Sequence, residues 1–216
     1  MNSLYFNRRG LLLVLVGITG MGLAWKFGPS IGRERPEVNS IQTMRNGSVE
    51  RTASELMRRE GAWWDPTDNK PFTGWLIERY PDHQLQSRSA LSNGILAGVS
   101  EGWNTNGVQQ IREEFLAGLS EGPVVRWRED GTRLSEGVAR AGKLEGQFRR
   151  WHPNGRLAEE VTLRRGEARG VSRAWFPGGN LKAEVRLNDG KVVAQQFWKD
   201  GEQDGATVGS VSTPAL

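Results

Sequence analysis

Between Arg156 and Arg164, Leu157, Val161 and Leu163 fall on one parity and Glu160 on the other. Leu181, Val185, Leu187 and Glu184 repeat that arrangement further along. Alternation of this kind predicts strands with one apolar and one charged face. The preceding run, Gly146 to Trp151, is also able to extend, and His152-Pro153-Asn154-Gly155 between the two carries a turn signal. The proline presets φ and the glycine takes the left-handed position, so the unit reads as a β-hairpin.

The hairpin recurs at a step of 24 residues. Gly146 is matched by Gly98, Gly122 and Gly170, and Trp151 by Trp103, Trp127 and Trp175. Gly155 is matched by Gly107, Gly131 and Gly179, and Gly166 by Gly118, Gly142 and Gly190. Four landmarks in register predict an all-β array of about five to six hairpins in a curved antiparallel sheet. The end units read as irregular caps. In the first, the aromatic slips to Tyr80 and the turn Pro81-Asp82-His83 lacks a glycine; in the last, Phe197, Trp198, Asp200 and Gly201 form a shortened strand and turn. Before the first hairpin, Ser54 to Arg59 reads as a short helical turn.

Residues 1–27 place Arg8 and Arg9 before an uncharged apolar run from Leu11 to Trp25, which reads as a cleaved signal peptide or an uncleaved membrane-anchor helix. Either form predicts an exported, periplasmic or cell-envelope protein, secreted or held to the membrane through this segment. Residues 28–55 have two prolines and no apolar period and read as a flexible linker. The repeat domain is predicted over 56–205, followed by a disordered tail at 206–216.

The spacing Gly, four residues, Trp or Tyr, three residues, Gly, strand, Gly resembles the MORN-variant repeats of YwqK-like proteins, a family named as toxin-antitoxin antitoxin components. Leu56-Met57-Arg58-Arg59-Glu60-Gly61, Trp63-Trp64 and Lys70-Pro71-Phe72-Thr73-Gly74 resemble the segment that often precedes such repeats. The resemblance covers about Leu56 to Gly205. It implies an antitoxin-like or immunity-like protein whose partner is another protein, a toxin among the candidates.

Charge and composition narrow the chemistry. The formal charge is +4, of which Arg8 and Arg9 supply two, and no stretch of the repeats gathers basic residues without acids nearby, so nucleic acid is not an expected partner. Cysteine is absent and the only histidines, His83 and His152, fall in turns, which leaves no expected metal site, nucleophile-base pair, catalytic residue or cofactor. Glu136, Glu160 and Glu184 are expected to form cross-strand ion pairs with Arg149, Arg150 and Arg173. Glu113-Glu114 and Glu159-Glu160 alternate across a strand and make no acid-base pair.

The chosen candidate site is the row Trp103, Trp127, Trp151 and Trp175, expected about 10 Å apart across paired strands. Two readings stay open. In the first, the indoles join Val161, Leu163, Val185 and Leu187 in the apolar face that holds the repeats together. In the second they form an aromatic strip for a protein partner or, alternatively, for an envelope glycan.

Overall fold

In a computed structural model, residues 49–188 and 191–201 are described. The leader, residues 28–48 of the linker, the landmark Gly190 and the tail lie outside them. The described residues are all-β, and none of their elements is a helix able to cross a membrane. The chain divides after Gly142 into two compact units.

Within residues 49–142 the strands are β1 (Glu50–Thr52), β2 (Met57–Arg59), β3 (Ala62–Asp65), β4 (Lys70–Pro71), β5 (Gly74–Arg79), β6 (Leu85–Ser92), β7 (Ile95–Trp103), β8 (Gln109–Leu116), β9 (Leu119–Trp127) and β10 (Arg133–Arg140). They form one sheet in the order β1-β5-β6-β7-β8-β9-β10 and a separate one in the order β2-β3-β4. Residues 143–201 hold β11 (Lys143–Trp151), β12 (Leu157–Arg164), β13 (Glu167–Ala168), β14 (Gly170–Trp175), β15 (Leu181–Asn188) and β16 (Lys191–Phe197). Their order is β11-β12-β14-β15-β16, with β13 also on β12.

Three expectations need correction at the N-terminal end. Glu50–Thr52, assigned above to the linker, pairs parallel with β5, so this sheet is mixed rather than wholly antiparallel. Met57–Arg59 is a strand paired to Ala62–Asp65, not a helical turn. The first hairpin also keeps the common loop without a glycine. His83 takes the left-handed conformation (φ 68°), and its N–H bonds Tyr80 O as the N–H of Gly107, Gly131, Gly155 and Gly179 bonds Asn104, Arg128, His152 and Phe176 O. Histidine is among the residues that visit this region at modest cost.

The other glycine row closes hairpins differently. Asn93-Gly94, Ala117-Gly118 and Arg165-Gly166 are two-residue turns with both φ positive, the mirror-image type that matches strand twist. At the opposite ends of the strands each hairpin has a bulge: Trp151 sits opposite Leu157 while Arg150 sits opposite Glu159, and Ala158 is skipped. The same irregularity lies at Arg79, Trp103, Trp127 and Trp175. A bulge bends the strand and re-aims side chains, and here it fixes the position of each tryptophan.

Each unit has its own core. Leu56 and Phe72, from the segment around the small sheet, pack with Leu76, Leu91, Leu96 and Phe115, and Trp63 adds to the cluster. In residues 143–201 the core is Phe148, Val161, Leu163, Ala168, Val185 and Leu187. The apolar parity predicted for Val161, Leu163, Val185 and Leu187 is the buried one.

Candidate functional site

The four tryptophans occupy the last position of β7, β9, β11 and β14, each half-buried. Their face follows from strand alternation. Phe148 is opposite Val161 and Arg149 is opposite Glu160, so Trp151, two residues beyond Arg149, shares the side of the ion pair and not that of the core. Trp175 likewise shares the side of Arg173, and Trp103 that of Glu101. None of the four belongs to either core cluster. The first of the two readings, indoles buried with Val161, Leu163, Val185 and Leu187, is therefore corrected: the tryptophans lie on the opposite, charged face.

That face is ordered by ion pairs. Glu101, 5% exposed, accepts from Arg88 Nε at 2.8 Å and Nη2 at 2.7 Å, from Arg112 Nη1 at 3.1 Å and from Gln109 Nε2 at 3.1 Å. Arg88 stacks on the rings of Trp75 and Trp103, 5.0 and 5.8 Å from their centroids, which fixes Trp103 in place. In the second unit Arg149 Nε meets Glu160 at 2.8 Å and Arg173 Nε meets Glu184 at 2.9 Å, as expected. Two pairs differ from expectation. Arg150 lies 3.3 Å from Glu159 on the core side, and Glu136 pairs along its own strand with Arg133 at 2.5 Å.

Side chains brace the backbone at or just beyond the tryptophans. The Tyr80 hydroxyl donates to Trp103 O at 2.8 Å, and Gln110 Nε2 donates to Arg128 O at 3.1 Å. His152 Nε2 is 2.9 Å from Trp175 O, and because a carbonyl only accepts, Nε2 carries the proton. Tyr80 and His152 hold the same loop position and each reaches a tryptophan carbonyl of the following repeat, whereas Asn104 at that position donates to Glu129 O. Trp75 and Arg88 were missed in the sequence, although Trp75 directly follows Gly74, which lies one 24-residue step before Gly98. Their pairing depends on register between strands, which one strand's pattern does not contain.

The core side carries the perturbed acids. Burial raises Glu113 above the usual carboxylate range against the opposing pull of Ser120 and Arg126, and burial lowers Arg126. Burial also raises Glu159, opposed first by Arg150. Glu113 Oε2, Ser120 Oγ, Glu159 Oε2 and Ser172 Oγ have no hydrogen-bond partner. Ser120 is thus close enough to favour the Glu113 carboxylate without a well-formed bond, and the Arg150 contact to Glu159 is electrostatic rather than aligned. Each carboxyl meets an arginine rather than a second carboxyl, an arrangement for charge neutralisation and not for paired acid-base work. Among the described residues no three His, Asp or Glu gather as a metal-binding group.

Arg126→Met tests the Glu113 environment. A carboxyl with a raised folded pKa binds protons more tightly in the native state, so its burden on stability grows as pH rises above the ordinary glutamate value of 4.5. Removing Arg126 raises Glu113 further. The variant is expected to lose about 1–3 kcal/mol relative to wild type at pH 7, with the gap narrowing as pH falls toward 4.5, in urea unfolding measured at each pH.

No protein-family model and no curated protein sequence matches this chain.

Proposed function

We propose that this chain is a non-catalytic, protein-binding repeat module of the cell envelope, antitoxin-like or immunity-like in the sense implied by its resemblance to YwqK-like repeats. Its contact surfaces are two tryptophan pairs, Trp103 with Trp127 in residues 49–142 and Trp151 with Trp175 in residues 143–201. The observation that carries this reading is that in each unit two half-buried indoles recur at one repeat position on the side of the strands away from that unit's own apolar core. Large aromatics that the core does not use supply contact area at little entropic cost. The envelope location rests on the apolar leader at 1–27.

Capture from envelope extract with the full chain in detergent tests this. A single stoichiometric protein partner, retained by wild type and depleted at least tenfold by Trp127→Ala and by Trp151→Ala with folding intact, is the expected result. Retention of the partner by both variants removes the tryptophan pairs from the interface. Retention of envelope polymer with no protein partner replaces the protein-binding reading with the glycan one.

A further inference from the structure

Charge is divided unevenly along the chain. Residues 49–142 carry eleven lysines and arginines against fourteen acids, and residues 143–201 carry twelve against seven. In residues 143–201 the fold also separates the signs. At the tryptophan end of the strands Arg149, Arg150 and Arg173 are met by Glu160, Glu159 and Glu184. At the opposite end, strand pairing gathers Lys143 at the start of β11, Arg164 and Arg165 at the β12 turn, Arg186 near the end of β15 and Lys191 at the start of β16. All five are exposed, and none of their side chains has an ion pair or hydrogen bond among the described residues. Of the acids at this end, Glu145 accepts from the backbone N–H of Arg165 at 2.6 Å, Glu167 is exposed, and Asp189 lies outside the described residues. The fold does not require these cations. One repeat earlier Leu119 stands for Lys143 and Ala141 for Arg165, and two repeats earlier Val138 stands for Arg186. Ala141 and Arg165 hold the same left-handed turn position, φ 47° and 53°, so the turn closes with or without a guanidinium. Like charges gathered without counter-charge repel one another, and an anionic ligand relieves that repulsion.

We propose that this end of residues 143–201 takes an acidic segment, rich in Asp and Glu, of the same protein partner that covers Trp151 and Trp175. The proposal rests on the protein-binding reading above. Strand alternation joins the two surfaces. Arg164 shares the face of Glu160 and Arg186 that of Glu184, which is also the face of Trp151 and Trp175. A partner laid along these strands meets indoles at one end and uncompensated cations at the other, with the Arg149–Glu160 and Arg173–Glu184 pairs between them. Arginine supplies three of the five cations, and its planar fork meets a carboxylate through two parallel N–H donors. Anionic lipid headgroups offer the same charge, but a lipid surface against the turns leaves the indoles at the far strand ends untouched.

The test uses the full chain in neutral detergent with a labelled oligoglutamate and a neutral glycine-serine peptide of equal length, read by fluorescence anisotropy. Saturable binding of the oligoglutamate alone is the expected result, weakened about tenfold by Arg164→Gln with Arg186→Gln and by added salt, which screens exposed charge. Arg33→Gln with Arg35→Gln removes the same charge from the linker and is expected to change binding less than about twofold. Equal losses in the two double variants overturn the proposal, as does no saturable binding at millimolar peptide. Adsorption to phosphatidylglycerol vesicles that Arg164→Gln with Arg186→Gln weakens, with no oligoglutamate bound, overturns it in favour of a lipid surface. Capture of the natural partner that Trp151→Ala abolishes and the Arg164→Gln with Arg186→Gln variant keeps overturns the acidic-segment assignment and leaves the protein-binding reading intact. Capture that survives Trp127→Ala and Trp151→Ala but fails in that arginine variant overturns the tryptophan interface and supports the acidic-segment one.

Discussion

Phe115→Ala lowers the unfolding free energy by about 3–5 kcal/mol, seen as a shift of the urea midpoint with the slope unchanged. Phe115 is 2% exposed and lies on the core side of β8 with Leu76, Leu91 and Leu96, beneath Leu56 and Phe72. The strands supply only part of this cluster. The remainder comes from the segment around the small sheet, and removing the ring leaves a void that neither contributor can fill without leaving its own register. A loss below about 1 kcal/mol would mean that the N-terminal segment does not cover this face.

Gly94→Ala is expected to be comparably severe, at more than about 3 kcal/mol. Gly94 has φ +78°, and a Cβ there would lie 2.5 Å from the Trp63 carbonyl oxygen. Its N–H donates to Phe72 O at 2.7 Å and its carbonyl accepts from Trp63 N–H at 2.8 Å. The turn is therefore tied on both sides to the segment that covers the core. The left-handed conformation alone costs alanine about 1–2 kcal/mol, and forcing backbone apart adds about 1–3. Gly107→Ala separates these contributions, since Gly107 has φ +76° and open space around its Cβ. The expected order in urea unfolding is Gly94→Ala well below Gly107→Ala; equal losses would show that the small sheet is not docked on the turn.

The repeat was legible because glycine is the residue that meets a left-handed backbone requirement at least cost. Three of the four landmarks are glycines, and at Gly98, Gly107 and Gly118, as at their sisters among the described residues, φ is positive. The loop that histidine closes at His83 was missed because the pattern was read by residue type rather than by conformation. The parallel strand Glu50–Thr52 was missed for a different reason. Three residues carry no period, and their pairing to Gly74–Arg79 is a long-range contact invisible in either segment alone. The small sheet escaped in the same way, since β2 to β4 are two to four residues each.

The tryptophan face shows how a correct repeat can give a wrong side. Val161 and Leu163 alternate with Glu160 along the outgoing strand, and the indoles join that apolar set only if its parity carries across the turn. The incoming strand held the answer, because Trp151 shares the parity of Arg149 and opposes that of Phe148. The bulge beyond each tryptophan makes parity across the turn an unsafe guide, as one skipped residue changes the count. The ion pairs of that face were easier to read, since Arg149 with Glu160 and Arg173 with Glu184 lie within single hairpins.

The most direct measurement is the urea unfolding free energy of Trp127→Ala and Trp151→Ala, beside Phe115→Ala, with partner capture scored on the same preparations. Indoles that serve a partner rather than the core predict a loss of about 1 kcal/mol for each tryptophan variant, together with loss of capture. A loss of about 3–5 kcal/mol, equal to that of Phe115→Ala, would place the tryptophans in the core and contradict the account.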